Sequence, residues 1–249
     1  MGRKSKFACA FLVAALFLGL GTAYFYFTAE RFVTVMATGE HSTGTQQLLL
    51  IIDPGHGGAD GGASDAMDRE EDEINLNIAL RLEALAHLYG IPVEMTRRTH
   101  DIDYPADADS IREKKVADTR ARVEQINAAE HAVVISIHQN TYPGDSSVSG
   151  TQVLYAKTQQ SDVFAGIMQD ALTEGLGLTR GRETRAVANS VFLMNHISAT
   201  AILVECGFLS NPEEAERLQS DNYQIQIAAS ILAGYLQAQD ILRAGYFGA

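Results

Sequence analysis

The chain has 249 residues, of which 46% are hydrophobic and 20% are charged, and its formal net charge at pH 7 is −12. This length and composition predict one folded domain with a substantial core, and they exclude a chain that is disordered throughout. An acidic surplus of this size argues against nucleic acid as a partner, because phosphate backbones bind basic surfaces.

The N-terminal residues have the pattern of a membrane segment. Arg3, Lys4 and Lys6 precede residues 7–27, which contain no charged residue. A helix of that length, at about 1.5 Å per residue, spans roughly 30 Å, which is the hydrocarbon thickness of a bilayer. The basic flank should remain cytoplasmic, and this places the rest of the chain outside.

This segment is either an uncleaved signal anchor or a cleaved signal peptide. A signal peptide has a shorter apolar region and a cleavage site of small residues. Here the run is long and ends in the aromatic stretch from Tyr24 to Phe27, which suits a membrane interface. We therefore predict a signal anchor over residues 1–31, or a secreted protein if the segment is removed. A polar tether rich in Gly and Thr is expected to follow at 32–47.

The acidic character is concentrated after the N-terminal segment. Residues 1–31 hold four Lys and Arg and one Glu, which leaves 15 basic and 30 acidic residues, a formal net charge of −15, on residues 32–249. Such a surface predicts no basic patch for holding anionic polymers. A target must therefore be bound in shaped pockets.

Apolar periodicity predicts an α/β domain over residues 48–241, with residues 242–249 as a C-terminal tail. Continuous apolar runs indicate strands buried on both faces, and apolar spacings of three and four indicate helices packed on them. The first strand, helix and strand form a parallel βαβ unit, so we expect three layers around a mostly parallel, twisted sheet. The predicted strands lie at 48–52, 91–96, 133–137, 152–156, 191–194 and 201–204, and the predicted helices at 74–90, 111–130, 162–175 and 223–239.

Three of these strands are followed by a side chain that can do chemistry. His56 follows the first strand within a glycine-rich loop, His138 follows the strand at 133–137, and Glu205 follows the last strand. In parallel sheets ligands bind at the carboxyl ends of the strands, so the three side chains are expected to converge. Taken alone, the loop around His56 could also be a plain turn or a phosphate cradle.

Two imidazoles and one carboxylate form the ligand set of a catalytic zinc site that keeps one position open for water. One Glu of the acidic run from Glu70 to Glu73 could complete this set. Another carboxylate would then be available as a general base. Zinc chemistry of this kind favours amide hydrolysis.

The motifs around these residues resemble a known family. The segments IIDPGHGG, ADGGA, SIHQN and LVECGFLSNPEE, together with the acidic helix start, are similar to successive signatures of zinc-dependent N-acetylmuramoyl-L-alanine amidases over residues 48–240. The resemblance implies one Zn²⁺ held by His56, Glu71 and His138, with Glu205 as the catalytic base. It also implies a peptidoglycan substrate and a mixed, mostly parallel sheet flanked by helices.

The stretch IREKKVADTRARVEQIN and the hydrophobic segment ahead of one catalytic domain also resemble the germination-specific, spore-cortex branch of that family. The resemblance implies a role in cortex maturation, in which the amidase strips peptide from muramic acid before a peptidoglycan deacetylase acts and muramic lactam forms. The chain would be anchored in the membrane through residues 7–27 with its catalytic domain outside, for example in the forespore intermembrane space.

Several supporting features have more than one interpretation. Asp53 could orient His56 from a second layer around the metal, or it could form a turn. Asn140 could contact substrate or cap a loop, and Arg122 is predicted to brace its helix against the sheet. Some members of the family insert an inhibitory helix after the third strand, but residues 139–150 are too few for one, which predicts an open cleft.

Three other functions fit parts of the pattern. A zinc carboxypeptidase acting on peptidoglycan stem peptides would use the same metal and base. A membrane-tethered wall-binding protein with an inactive site would be expected to lack one of the four chemical residues. Phosphate binding by the glycine-rich loop would need no zinc.

Overall fold

The computed structural model describes residues 47–248, and these contain a six-stranded sheet flanked by helices. The predicted signal anchor and nearly all of the tether lie outside the described residues. Within residues 47–248, no helix has both the length and the apolar character needed to cross a bilayer. The strands are β1 (Leu49–Pro54), β2 (Val93–Met95), β3 (Ala132–Asn140), β4 (Gln152–Tyr155), β5 (Arg185–Ala186) and β6 (Thr200–Phe208). The helices are α1 (Glu71–Leu88), α2 (Ile111–Ala128), α3 (Ser161–Gly175), α4 (Phe192–His196), α5 (Pro212–Leu218) and α6 (Asp221–Phe247).

The sheet has the strand order β2-β1-β3-β6-β4-β5. The strands β2, β1, β3 and β6 are all parallel, β4 is antiparallel to β6, and β5 is parallel to β4. The central strands consist of apolar runs because both of their faces are covered, and Leu50, Ile135 and Ile202 are fully buried. The predicted three-layer, mostly parallel α/β fold is therefore confirmed.

Two groups of helices cover the two faces of the sheet. On one face, α1, α3 and α6 contribute Ile78, Phe164 and Ile231 to the larger core. On the other face, α2 and α4 contribute Ile126 and Leu193 to a second core. Successive residues of a strand point to opposite faces, so each central strand supplies side chains to both cores.

The predicted strand at 191–194 is wrong, because these residues enter the short helix α4. Leu193 and Met194 are both buried, and two consecutive buried residues on one side of the sheet suit a helix better than a strand. The ring of His196 stacks on Phe192, with the ring centroids 3.8 Å apart, and its Nδ1 lies 2.8 Å from the Phe192 carbonyl oxygen. These local contacts stabilise the helical turn.

The closing helix is longer than predicted. The helix α6 continues to Phe247, so most of the predicted tail at 242–249 belongs to the helix instead. Leu242 is fully buried in the larger core, and this contact holds the last turns against the domain. The sequence pattern also missed β5 and α5, which are only two and seven residues long.

Candidate metal centre and active site

His56 lies in the loop after β1, and its orientation is set by contacts to both its backbone and its ring. Its backbone is left-handed, with φ of 60°. Arg122 Nη2 donates to the His56 carbonyl oxygen at 2.6 Å. On the ring, Nδ1 lies 2.8 Å from Asp60 Oδ2, and Nε2 lies 3.4 Å from Glu71 Oε2. One ring nitrogen is thus held by a carboxylate while the other faces Glu71.

Glu71 is the first residue of α1, and its carboxylate lies between the two histidines. The side chain is buried, with Oε1 3.0 Å from His138 Nδ1 and Oε2 close to His56. The backbone N–H groups of Ala63 and Gln139 each donate to this carboxylate at 3.0 Å. These bonds, one from the loop before α1 and one from β3, fix the carboxylate in place. Of the acidic run, Glu70 and Glu73 are exposed instead.

The structure brings all three predicted metal ligands together. One ligand atom from each of His56, Glu71 and His138 lies within 4.8 Å of the other two. The two imidazole rings are 5.0 Å apart between centroids and nearly perpendicular, at 79°. Two nitrogens and one carboxylate oxygen are the protein ligands of many catalytic zinc sites. The Asp60 carboxylate on the second nitrogen of His56 is also typical of metal-binding histidines. These side chains therefore fit a zinc ion, and their role as ligands remains a prediction.

Two glycines allow the ligands to come this close. A Cβ atom at Gly55 would lie 2.2 Å from the His138 ring. At Gly62, where φ is +75°, a Cβ atom would lie 2.7 Å from Glu71 Oε2 and 2.8 Å from the His56 ring. A side chain at either position would displace a predicted ligand, which explains part of the glycine-rich loop.

The ionisation of His56 and Glu71 is perturbed by the groups around them. Burial acts to lower the pKa of the His56 imidazole, but hydrogen bonds to Asp60 and Glu71 raise it to about 9. Burial acts to raise the pKa of the Glu71 carboxyl, but its contacts with His138 and His56 hold it well below its usual range. The Glu71 carboxyl is therefore ionised at neutral pH. The His56 ring keeps its proton at neutral pH unless a cation replaces that proton.

Glu205 lies within β6 and not at its end. The prediction that the strand stops there is wrong, because β6 continues to Phe208 and still pairs with β3 at Asn140. The prediction that His138 follows its strand is wrong for the same reason, since β3 runs to Asn140. Glu205 pairs directly with His138, and its Oε2 is a buried atom without a hydrogen-bond partner among residues 47–248. Burial and the negative charge of Glu71 raise the pKa of the Glu205 carboxyl to about 7, against the opposite effect of the two histidines. Such a carboxyl suits a general base at neutral pH.

Asp53 supports the site through Arg122 and not through the His56 ring. Its Oδ1 accepts a hydrogen bond from Arg122 Nη1 at 2.9 Å, and its Oδ2 accepts one from Ser136 Oγ at 2.6 Å. Both members of the Asp53–Arg122 pair are buried. Arg122 also donates to the carbonyl oxygen of Pro54, so the predicted bracing of α2 against the sheet is confirmed.

Three other supporting residues were not predicted. Asp60 contacts His56 and also pairs with Lys115 Nζ at 2.8 Å. Arg97 is buried and donates to the carbonyl oxygens of Pro54, at 3.0 Å, and Asp72, at 2.9 Å, which ties the His56 loop to the start of α1. Asp60 lies four residues after His56, and this spacing is the one sequence signal that could have found it. No sequence pattern identifies Arg97 or Lys115 as supporting residues of the site.

Asn140 caps the loop that follows β3. Its Oδ1 accepts a hydrogen bond from the Thr141 N–H at 2.8 Å, and its carbonyl oxygen accepts one from the Leu209 N–H at 2.8 Å. Of its two interpretations, these contacts support the loop cap. The described loop at 141–151 contains turns but no helix, in agreement with the prediction that no inhibitory helix is inserted there.

Comparison with known proteins relates this site to a family of enzymes. The family model described as N-acetylmuramoyl-L-alanine amidase matches residues 50–237. The germination-specific N-acetylmuramoyl-L-alanine amidase of Bacillus subtilis is 34% identical over 189 residues, which cover 76% of this chain and 78% of that protein. The N-acetylmuramoyl-L-alanine amidase AmiC of Escherichia coli O6:H1 is 30% identical over 232 residues, which cover 75% of this chain and 52% of that protein.

A solved structure supports the same relationship. The CwlD amidase from Clostridioides difficile, determined in complex with the GerS lipoprotein, matches with a TM-score of 0.74 and 30% sequence identity. The match covers 78% of this chain and 100% of that chain. The aligned part therefore corresponds to the whole domain of the relative.

Proposed function

The chain belongs to the N-acetylmuramoyl-L-alanine amidase family, and we propose that it uses zinc to hydrolyse the amide bond between N-acetylmuramic acid and L-alanine in peptidoglycan. The observation that carries this proposal is the convergence of His56, Glu71 and His138 beside Glu205. Three side chains that suit a metal and one carboxyl with a pKa near neutrality are the parts that metal-assisted amide hydrolysis needs.

His56, Glu71 and His138 would hold the ion. When bound, zinc polarises a carbonyl group and lowers the pKa of water. Asp60 and Arg122 keep His56 oriented, through its ring and its backbone respectively. The backbone N–H groups of Ala63 and Gln139 keep the Glu71 carboxylate in place.

Glu205 would move the proton. Its carboxylate takes a proton from the attacking water while the water oxygen forms a bond to the amide carbonyl carbon. When the carbon–nitrogen bond breaks, the same carboxyl returns the proton to the leaving nitrogen. The products are a free carboxylate on the muramic acid and a peptide that begins with the amino group of L-alanine. Burial and the negative charge of Glu71 keep the pKa of Glu205 close to the pH at which this exchange is efficient.

The decisive experiment compares the full chain with Glu205→Gln on purified peptidoglycan in the presence of zinc. We expect new L-alanine amino termini with the native chain, loss of this release on chelation, and a decrease of about 10²- to 10⁴-fold in the variant. The variant should still bind one zinc ion. Glu73→Gln, at an exposed position of α1, is the matched control and should retain activity.

The same experiment tests two of the three rival functions. Cleavage inside the stem peptide, without new L-alanine termini, would identify a carboxypeptidase and refute the amidase proposal. Binding to the wall with no cleavage at all would identify an inactive wall-binding protein.

We further propose that the enzyme acts in spore cortex maturation, outside the membrane and anchored through residues 7–27. The similarity to the germination-specific amidase of Bacillus subtilis supports this role. A peptidoglycan deacetylase would act on its product to allow muramic lactam to form. The test is to express the chain in a spore former that lacks its own germination-specific amidase. Muramic lactam should reappear in the cortex, and its absence despite normal amidase activity in the extract would refute the sporulation role.

A further inference from the structure

A cleft with three arginines opens beside the active-site strands. It has a volume of about 390 Å³ and lies where β4, β5 and the segment before β5 meet. We call it the arginine cleft. Its main lining residues are Ser149, Gln152, Arg180, Arg182, Glu183 and Arg185.

The arginine cleft concentrates positive charge on an otherwise acidic domain. Among residues 47–248, neither Arg180, Arg182 nor Arg185 has a carboxylate within 4.0 Å, and Glu183 is the one acidic residue that lines the cleft. The net charge of the domain is negative, as expected, but the expectation that it has no basic patch is wrong at the arginine cleft. Three arginines against one glutamate leave the lining of the cleft with a positive balance, so an anion in the cleft would be attracted.

Arg182 is held ready for such an anion. Its Nη2 donates to the Ser149 carbonyl oxygen at 2.8 Å, and its guanidinium carbon lies 4.9 Å from the centre of the Phe208 ring. A guanidinium fixed in this way loses little freedom when it binds a carboxylate. Its Nε is a buried donor without an acceptor among the described residues. Unmet buried donors are rare in folded proteins, so this N–H is available to an acceptor from outside the chain, either a water molecule or an anion.

The position of the arginine cleft relates it to the reaction. Gln152 of β4 is the direct partner of Glu205 in the antiparallel pair of β4 and β6, so their side chains lie on the same face of the sheet. Arg185 of β5 pairs with Leu154, two residues along β4 from Gln152, so its backbone lies two strand spacings across the sheet and two residues along it from Glu205. This separation amounts to roughly 12 Å. Two or three residues of extended peptide span roughly 7–10 Å, and the long arginine side chain can cover the remainder.

We propose that the arginine cleft binds a free carboxylate of the stem peptide, two or three residues beyond the amide bond that is cut. Stem peptides carry such groups, for example the α-carboxylate of a γ-linked D-glutamate or the free carboxylate of the diamino acid that follows it. The inference rests on the proposed amidase function and deepens it, because it names the part of the substrate that is recognised. Amidation of that carboxylate would make a stem peptide a poor substrate.

The test uses the zinc-loaded full chain and three muramoyl tripeptides, all with the C-terminal α-carboxyl amidated. In one, the D-glutamate α-carboxylate and the side-chain carboxylate of the diamino acid are both free; in the other two, one of these carboxylates, at the second or the third residue, is amidated as well. We expect kcat/KM to fall about 10- to 100-fold for one amidated form, as for the loss of a charge-assisted hydrogen bond. Arg182→Gln and Arg185→Gln should lower kcat/KM for the free form to about that level, mainly through KM. The variants should show no further decrease on amidation.

Arg120→Gln makes the same change of charge at an exposed position of α2 and should preserve the native preference. Because Arg185 is exposed, its substitution does not disturb the core, whereas Arg182 is half-buried. Equal activity of the native chain on all three tripeptides would overturn the proposal. So would an equal decrease in the arginine variants on free and amidated forms, which would indicate a structural role.

Calorimetry separates this proposal from the proposed function. The released tripeptides, free and amidated, are titrated into the zinc-loaded full chain, and this measurement does not need catalysis. Weaker binding of one amidated peptide, with the difference lost in Arg185→Gln, supports the arginine cleft even if the chain cuts none of the substrates. Cleavage without any difference in peptide binding would overturn the cleft and leave the amidase function intact.

Discussion

His138 of β3 and Glu205 of β6 are direct partners in two parallel strands at the centre of the sheet. Parallel strands lie about 4.8 Å apart, so the spacing between the predicted ligand and the predicted base is fixed by backbone pairing and not by a loop. Both strands continue past these residues, so neither His138 nor Glu205 lies at a strand end that could fray. The register shifts between His138 and Asn140, and such irregularities are common beside active sites.

The ionisation of Glu205 predicts how stability depends on pH when zinc is removed. Its pKa in the folded protein is about 7, above the value of 4.5 of an unperturbed glutamate. The protonated carboxyl therefore contributes stability that is complete below pH 4.5 and is lost as the pH rises through 7. The glutamine of the Glu205→Gln variant does not ionise, so the variant does not lose this stability as the pH rises. Relative to the native chain, the variant should gain up to about 2 kcal/mol between pH 5.5 and pH 8.

Urea unfolding in the presence of a chelator measures this difference. Glu73→Gln provides the control, because it makes the same substitution at an exposed position away from the buried carboxyl. An equal effect of Glu205→Gln at both pH values would mean that the Glu205 carboxyl is not perturbed by burial.

The proton on His56 should compete with zinc. Its pKa of about 9 means that the ring must lose a proton to become a ligand at neutral pH. Zinc affinity should therefore fall about tenfold for each pH unit below 9. Asp60→Asn removes one of the two carboxylates that raise this pKa, so the dependence on pH should flatten. At pH 9 the variant should bind zinc about 10- to 100-fold more weakly, because the ring is less well oriented.

Competition with a metal indicator over pH 6.5–9 measures both effects. Asp101→Asn changes an exposed carboxylate in the loop after β2 and should give the native profile. Parallel profiles for the native chain and Asp60→Asn would show that Asp60 does not control the ionisation of His56.

Much of the fold and the central residues of the site could be predicted because they depend on local patterns. His56, His138 and Glu205 each follow an apolar run, and parallel strands bring such positions to one edge of a sheet. Glu71 was harder, because carboxylates at a helix start are usually explained by the helix dipole. Its selection needed the resemblance to a family, and the structure places it between the two histidines.

The features that were missed depend on contacts between distant segments. Lys115 of α2 meets Asp60 of the first loop across 55 positions of sequence, and no periodicity predicts such a pair. The arginine cleft was hidden for a different reason. Net charge averages over the whole domain, whereas attraction to an anion depends on charges within about a Debye length of it. The end of β6 was misplaced because Glu205 is polar, although its backbone remains fully paired within the sheet.

Gly55 should be necessary for the position of His138. A methyl group at this position would lie 2.2 Å from the imidazole ring, so Gly55→Ala must displace the ring or the loop. We expect a loss of about 1–3 kcal/mol of stability from overpacking, together with weaker zinc binding. Thermal unfolding and metal titration measure these effects. Gly166→Ala is the matched control, because a methyl group there meets nothing within 4 Å in the middle of α3. It should stabilise the chain by about 0.5–1 kcal/mol, and an equally benign Gly55→Ala would contradict the packing argument.

Asp53 and Arg122 should behave as a coupled pair. Arg122 holds the pKa of the Asp53 carboxyl below its usual range despite burial, so Arg122→Gln leaves a buried carboxylate without its counter-charge. We expect this variant to lose about 3–5 kcal/mol of stability. It should also bind zinc more weakly, because the His56 carbonyl oxygen loses its donor.

Asp53→Asn combined with Arg122→Gln should cost less than the sum of the two single variants, by about 1–3 kcal/mol, since the double variant leaves no charge at Asp53. Asp118, the second carboxylate paired with Arg122, loses its partner in both the single Arg122 variant and the double variant, so its effect cancels from the coupling. Urea unfolding of the four proteins gives this coupling directly. Arg120→Gln, two residues earlier on the exposed side of α2, should change stability by less than about 0.5 kcal/mol. Strictly additive costs would mean that Asp53 and Arg122 act independently. In that case the buried pair could not be the link by which the sheet fixes the backbone of His56.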